Sequence, residues 1–350
     1  MFTKDKQFTE EKYKYGLESQ KINLQIESAR ENILNFYNNN KNICDKALHY
    51  YDEFKNNQNK YICNPEGIKK ELFRKKLHYK RILVITSNPI ERGIFLRWLS
   101  EKNNGPLKTY VVNNNAYNIF HETDEISIVH VHTIETGEEP TKQVIDDTCN
   151  IFIPTCICSL GICYGFNISR HTIGSVFLSE KTDLIRINFR DSEKDDIVLE
   201  LKSILSGNSS YPLIRILKSK LISIKSTSIL SETQSPSTAV CEFGDFISAN
   251  SLISNWKVKN TILALSGLNS HKLLGGEMEG GGILTSNIVQ TKEYNKWIII
   301  KSICDWGECK NEIIPNNLLY SKTIKDSLQA YAMSNSCGVF NNIICEMCEV

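Results

Sequence analysis

The sequence predicts an α/β domain with a largely covered, mixed sheet over residues 77–350, preceded by a small helical module over residues 1–76. Three observations carry that reading. From Arg81 onward, compact β-branched runs alternate with helix-like stretches, the pattern of strands crossed by helices. Several runs are apolar throughout rather than alternating, as in strands covered on both faces. Before Arg81 the chain is rich in Lys, Asn and Glu and carries a helical stripe.

The stripe is Ile22, Ile26, Ala29, Ile33 and Tyr37, spaced by four and three. It serves either as a core face or as a short coiled-coil contact between subunits. Asn38-Asn39-Asn40 separates it from a second helix around Cys44 to Phe54, and Pro65-Glu66-Gly67 marks a break. RILVIT (Arg81 to Thr86) is the first strand, and Pro89 starts a helix through Phe95 and Leu99. Strands are expected at Tyr110 to Val112 and Ile126 to His132, then a helix near Thr141 to Thr148. The run from Ile151 to Cys158 is a buried strand, with Gly161 and Gly165 in the turn after it. Val176 to Glu180 and Leu184 to Phe189 continue the β pattern, residues 193–225 read as mostly helical, and Ser226 to Ser237 as a long loop. Lys296 to Cys304 is a last buried strand, and Lys322 to Glu346 a closing helix.

Composition bounds the function. A 41% hydrophobic share in 350 residues supports one large domain or two ordinary ones. The net charge of +1 gives no electrostatic pull toward nucleic acid or an anionic membrane. The opening MFTKDKQFTEEK lacks a signal-peptide core, and no apolar run approaches the roughly 20 residues that span a bilayer, so a cytoplasmic protein is expected. The twelve cysteines are then free thiols. Cys345 and Cys348 form one CxxC without a second pair, so two thiols on one helical face are expected rather than a metal site. No GxxxxGK[ST], HExxH or GxSxG motif is present, and no cofactor or metal is expected.

What stands out is acids and glycines at strand ends. Glu91 follows the first core strand. Glu277, Met278 and Glu279 begin a helix that opens on Gly280-Gly281-Gly282, each glycine unfavourable by about 1 kcal/mol in a helix interior unless the backbone must lie close to something. Asp305 follows the last strand, 26 residues after Glu279. Ligands of open α/β sheets sit at the carboxyl ends of strands, so these groups can converge on one crevice. Each also has a bland role: Asp305 as a turn cap, Glu277 as a helix N-terminal charge, the glycines as turn residues. His130 and His132 alternate on a strand and point to one side, and Arg170, Lys181 and Arg186 suit salt bridges or a substrate phosphate.

In order along the chain, ILVITSNPIER, SLGICYGFN, IGSVFLSE, ISANSLIS, GGEMEGGGI and IKSICDWGE match motifs of a known family. From about Arg81 to Val350 the sequence resembles the purine nucleoside phosphorylase superfamily, in its methylthioadenosine/S-adenosylhomocysteine nucleosidase branch. It is also similar to nucleosidase-type effector domains that destroy purine nucleotides in bacterial anti-phage defence. The resemblance implies a three-layer fold around a central mixed, twisted sheet, and a homo-oligomer, dimer or larger. It implies hydrolysis of the N-glycosidic bond of a purine nucleoside or nucleotide, with adenine as the expected base. Glu91 would hold the attacking water and Asp305 would serve N7 of the leaving purine. Met278 and Glu279 would meet the ribose. Glu277, Cys163, Gly165, Leu252, Ile253 and Trp306 would complete the substrate site. Leu252 stands where relatives place an aromatic stacker, and Cys304 where they place Ser. Residues 1–76 would serve oligomerisation or a sensor or regulatory protein.

The chemistry suits these residue types independently. Breaking an N-ribosidic bond builds positive charge on the sugar, which a carboxylate stabilises, and negative charge on the purine, which an acid relieves. A phosphorylase would need Arg and backbone amides around phosphate, and the CICSLGICYG segment has no Arg; Arg170 lies beyond it. Water is therefore the favoured nucleophile. A housekeeping nucleosidase, a phosphorylase and an inactive nucleotide-binding module are the alternatives.

Overall fold

In the computed structural model, residues 15–191, 197–209, 211–221, 229–230, 239–250, 259, 272–291, 296–307 and 313–348 are described. The strands in chain order are β1 (Glu66–Gly67), β2 (Lys80–Thr86), β3 (Lys108–Val112), β4 (Asn115–His121), β5 (Ile126–His132), β6 (Cys156–Gly165), β7 (Val176–Asp191), β8 (Ile197–Asn208), β9 (Cys241–Ala249), β10 (Leu273–Glu277) and β11 (Trp297–Asp305). They form one mixed sheet in the order β1-β3-β4-β5-β2-β6-β10-β9-β7-β11, with β8 paired to β7. A further pairing of β6 with β11 closes β6, β10, β9, β7 and β11 into a ring. The fold is thus an open half, β1 to β2, fused through β6 to a small barrel.

Neighbouring residues of a strand point to opposite faces, and β4 shows that both faces are covered. Tyr117 Oη lies 3.2 Å from Thr148 Oγ1 on helix Glu138–Ile151. Asn118, next along the strand, reaches His130 Nδ1 at 3.2 Å, and that imidazole packs on Phe95 of helix Pro89–Lys102. The result is the expected three-layer α/β arrangement. Helix Leu318–Ile343 covers β6 and β11. The C-terminal part of the stripe on helix Tyr15–Asn39 is a core face: Ala29, Ile33 and Tyr37 are buried in the same hydrophobic cluster as the sheet. Helix Lys41–Asn56 follows it and packs against the first turns of Pro89–Lys102, where Gly93 lies under Tyr51 and Phe54.

Several local expectations need correction. Gly161 and Gly165 are not in a turn: β6 begins at Cys156, after helix Glu138–Ile151, and runs on through both. Among the described residues of 193–225, Ile197–Asn208 is a strand and Tyr211–Leu221 is helix. Asp305 closes β11 rather than following it, and Glu277 closes β10, with the helix starting at Gly280. Cys345 is exposed and Cys348 buried in a short 3-10 turn beyond the last helix, so they do not share a helical face. The expected loop at Ser226 to Ser237 lies almost wholly outside the described residues. Among the described residues no helix is long and apolar enough to cross a membrane.

Candidate active site

β6 changes partners partway along. Cys156 to Ser159 pair with β2, whereas Tyr164 and Gly165 pair with β10. Its other edge is paired with β11 along almost its whole length. Between Ser159 and Tyr164, on the side where β2 leaves and β10 arrives, the ladder parts. Such a divergence of neighbouring strands is where α/β folds place ligands.

Glu91 fills that gap. Its helix starts with a capping box: Asn88 Oδ1 accepts from Ile90 N at 2.8 Å, and Glu91 Oε2 accepts from Asn88 N at 3.0 Å. The same oxygen accepts from Ser87 N at 2.9 Å, and Oε1 accepts from Ile162 N of β6 at 2.8 Å. The carboxylate therefore takes the place of a missing strand partner. Gly161 is glycine because a Cβ there would collide with Glu91 Oε1.

Lys301 of β11 pairs in register with Gly161 and extends its ammonium into the same space. Its Nζ lies 3.0 Å from Glu279 Oε2 and 3.8 Å from Glu91 Oε1, and all three side chains are buried. Burial alone would depress the lysine, but Glu279, Glu91 and Glu277 outweigh it and hold its pKa above the ordinary value, so it stays charged. Burial likewise opposes ionisation of Glu279, but the Lys301 ammonium prevails and holds that carboxyl below its usual range. Glu277 is pushed up to about 7, first by burial and then by the charge on Glu279.

The glycine run allows this packing. Glu277 Oε2 accepts from the backbone of Glu279 at 2.9 Å and of Gly280 at 2.8 Å, a capping role. Gly281 N donates to Ser248 Oγ at 2.7 Å. A Cβ on Gly282 would come within 2.5 Å of Glu138 O, so helix Gly280–Thr285 lies directly on helix Glu138–Ile151. Met278, half-buried, stands between the two acids.

Asp305 stands further along, where β11 ends beside Tyr164 of β6. Tyr164 is paired in register with both Asp305 and Gly276, and its ring lies on Gly276, where no side chain would fit. Asp305 Oδ1 accepts from Gly307 N at 2.7 Å, and Cys304 Sγ donates to Oδ2 at 3.2 Å. Gly307 has φ 74°, a left-handed conformation that lets its N–H turn back onto the carboxylate. The turn-capping role of Asp305 is therefore real and coexists with its place beside Tyr164. Cys304 thus supplies a donor to the carboxylate it precedes.

The remaining expected residues divide. Cys163 is buried, with its carbonyl 3.5 Å from the Cys304 thiol. Gly165 lies under the Trp306 ring. Trp306 is fully buried, and its indole Nε1 donates to Asn32 Oδ1 at 2.9 Å. Leu252 and Ile253 lie outside the described residues. His130 Nε2 and His132 Nδ1 both meet Thr86 Oγ1, at 2.9 and 3.1 Å, so they point the same way. Arg170, Lys181 and Arg186 are ion-paired with Glu242, Asp183 and Glu138 at 2.7, 2.8 and 2.6 Å.

Comparison with solved structures matches this architecture. A futalosine hydrolase of Helicobacter pylori strain 26695 superposes with a TM-score of 0.54 at 13% identity, over 77% of this chain and 98% of that one. A 5'-methylthioadenosine/S-adenosylhomocysteine nucleosidase from Neisseria meningitidis, in complex with methylthio-immucillin-A, gives 0.53 at 15%, over 76% and 98%. One from Colwellia psychrerythraea 34H, in complex with adenine, gives 0.54 at 14%, over 77% and 97%. The chain has the nucleoside phosphorylase/nucleosidase fold. At these identities the likeness is one of fold. No family model and no curated protein matches the sequence.

Lys301 is the central residue that sequence reasoning missed. Its signal was present: one cation inside WIIIKSIC, a strand otherwise apolar or small, must be buried and therefore paired. The capping box was also legible as Asn88 followed three residues later by Glu91.

Proposed function

We propose that this protein hydrolyses the N-glycosidic bond of a purine nucleoside or nucleotide, with adenine as the base, in the manner its resemblance implies. The observation that carries the proposal is the Glu91–Lys301–Glu279 cluster at the parting of β2 and β10, with the Gly161–Lys301 pair three residues along β6 from the Tyr164–Asp305 pair. Glu279 is suited to accept from ribose hydroxyls. Glu91, whose lone pairs are drawn on by backbone N–H groups, is suited to orient a water rather than strip its proton. Orientation suffices, because the sugar cation is strongly electrophilic. The water oxygen bonds to C1′ as the C1′–N9 bond breaks, its proton passes to solvent, and the purine leaves with a proton from Asp305 at N7. Lys301 keeps Glu279 ionised without offering a site for phosphate, since its ammonium is engaged by that carboxylate. Water is accordingly the nucleophile.

The wider role we propose is depletion of purine nucleotides as an anti-phage effector acting in the cytoplasm as a homo-oligomer, with residues 1–76 receiving a signal or partner. Purified protein incubated with adenosine, methylthioadenosine, AMP and ATP, with and without phosphate, should release free adenine from at least one of them. No ribose 1-phosphate should form. Asp305→Asn should slow release by about 10²–10⁴-fold, the range of general acid catalysis. No base from any purine substrate refutes the reading. Sugar 1-phosphate appearing only with phosphate would replace hydrolysis by phosphorolysis.

A further inference from the structure

Trp306 directly follows the candidate acid, and what holds it comes from the other end of the chain. Its Nε1 donates to Asn32 Oδ1 at 2.9 Å across 274 residues. The indole rests on β6, where a Cβ on Gly165 would come within 2.6 Å of the ring. Its carbonyl accepts from Lys259 Nζ at 2.9 Å. With the Gly307 N–H on Asp305 Oδ1, the segment Asp305 to Gly307 is fixed at both flanks and at the ring. The ring's polar anchor is the Asn32 side chain on helix Tyr15–Asn39.

The consequence is geometric. An indole N–H left unsatisfied in the interior is unfavourable, so the ring turns or shifts to find another acceptor. Any such shift moves the residue bonded to Asp305. A misplacement of about 1 Å can slow catalysis about 10²-fold. The helix itself does not depend on this bond. Ala29 and Ile33 are buried, Phe36 packs on Tyr331 with ring centroids 5.6 Å apart, and Tyr37 Oη donates to Asp45 at 2.7 Å.

We infer that Asn32 is a positioning residue for Asp305, resting on the nucleosidase reading above, and that helix Tyr15–Asn39 sets the competence of the acid through one hydrogen bond. A signal that draws this helix away from Trp306 would switch the site off without touching substrate.

The test compares Asn32→Leu, which keeps the side chain's size and loses the acceptor, with Asn32→Asp, which keeps an acceptor oxygen. Steady-state adenine release is measured across pH 5–9 in the full-length chain, with thermal melting alongside. Asn32→Leu should lower kcat about tenfold or more, leave KM within about twofold, and displace a limb of the kcat–pH profile, because the acid rather than substrate binding is disturbed. Asn32→Asp should restore most of kcat and the wild-type profile. An Asn32→Leu protein with unaltered kcat and profile overturns the inference. So does a kcat that falls only in step with the folded fraction and is not rescued by Asn32→Asp. A wild-type protein that releases no base overturns the nucleosidase reading, and the positioning role with it. An active wild type with an indifferent Asn32→Leu overturns the positioning role alone.

Discussion

Replacing Lys301 by Met keeps the apolar stem and removes the charge that joins Glu279 to Glu91. At an effective dielectric of about 20, contacts of 3.0 and 3.8 Å correspond to about 5.5 and about 4.4 kcal/mol of attraction. Burying the three ions offsets much of that, but removing one partner leaves carboxylates uncompensated, and such changes destabilise by about 3–5 kcal/mol. The protein has an escape: Glu279 can take up a proton. From an ordinary carboxyl value of 4.5, neutralising it takes about 4 kcal/mol at pH 7.5 and about 1.4 kcal/mol at pH 5.5, at 1.36 kcal/mol per pH unit. Lys301→Met should therefore lose about 4 kcal/mol of unfolding free energy at pH 7.5 and only about 1–2 kcal/mol at pH 5.5. Urea titrations followed by circular dichroism at the two pH values measure both. The double variant Lys301→Met/Glu279→Gln should recover most of the loss at pH 7.5. A loss under about 1 kcal/mol at pH 7.5, or one that does not shrink on acidification, refutes the account of a buried, carboxylate-held ammonium.

Two further outcomes test the same site. Gly161→Ala should destabilise by about 1–3 kcal/mol and abolish activity, because its methyl displaces Glu91 and would come within 2.8 Å of Lys301 Nζ; full activity in this variant would show that Glu91 is not needed where it stands. Glu277, raised from 4.5 to about 7, contributes stability that is fully present below its unfolded value and is lost as pH climbs through about 7. Glu277→Gln should remove that dependence, so that between pH 5 and 8 its stability falls by up to about 3 kcal/mol less than the wild type's; parallel curves would contradict the shift.

Much of the framework was legible because its signals are local. RILVIT, ISIVHVH and WIIIKSIC are β-branched runs that few other structures accommodate, and they became β2, β5 and β11 with ends displaced by a residue at most. What failed depended on distant contacts. IVLELKSILSGN has no decisive period, and it is a strand because the long β7 offers it an edge. Gly161 and Gly165 looked like turn residues, yet they are strand positions emptied to admit Glu91 and the Trp306 ring, neither of which sequence spacing brings near. In the site, the acids were visible as types at strand ends. The lysine that organises them was not, because an isolated charge in an apolar strand announces burial but not its partners. The tie from Asn32 to Trp306 had no local signature at all.

The carboxylate that stands in for a strand gives Ile162 an unusual status. The other β6 amides near it are locked by neighbouring backbone, so their exchange with solvent deuterium follows the opening of the sheet. Ile162 N–H is locked by a side chain that would also serve the reaction. Whatever disturbs Glu91 should loosen that proton, together with those of Ser87 and Asn88 at the helix start, and leave the β6 amides on either side of Ile162 protected. One amide in the middle of the molecule thereby reads out the state of the chemistry beside it.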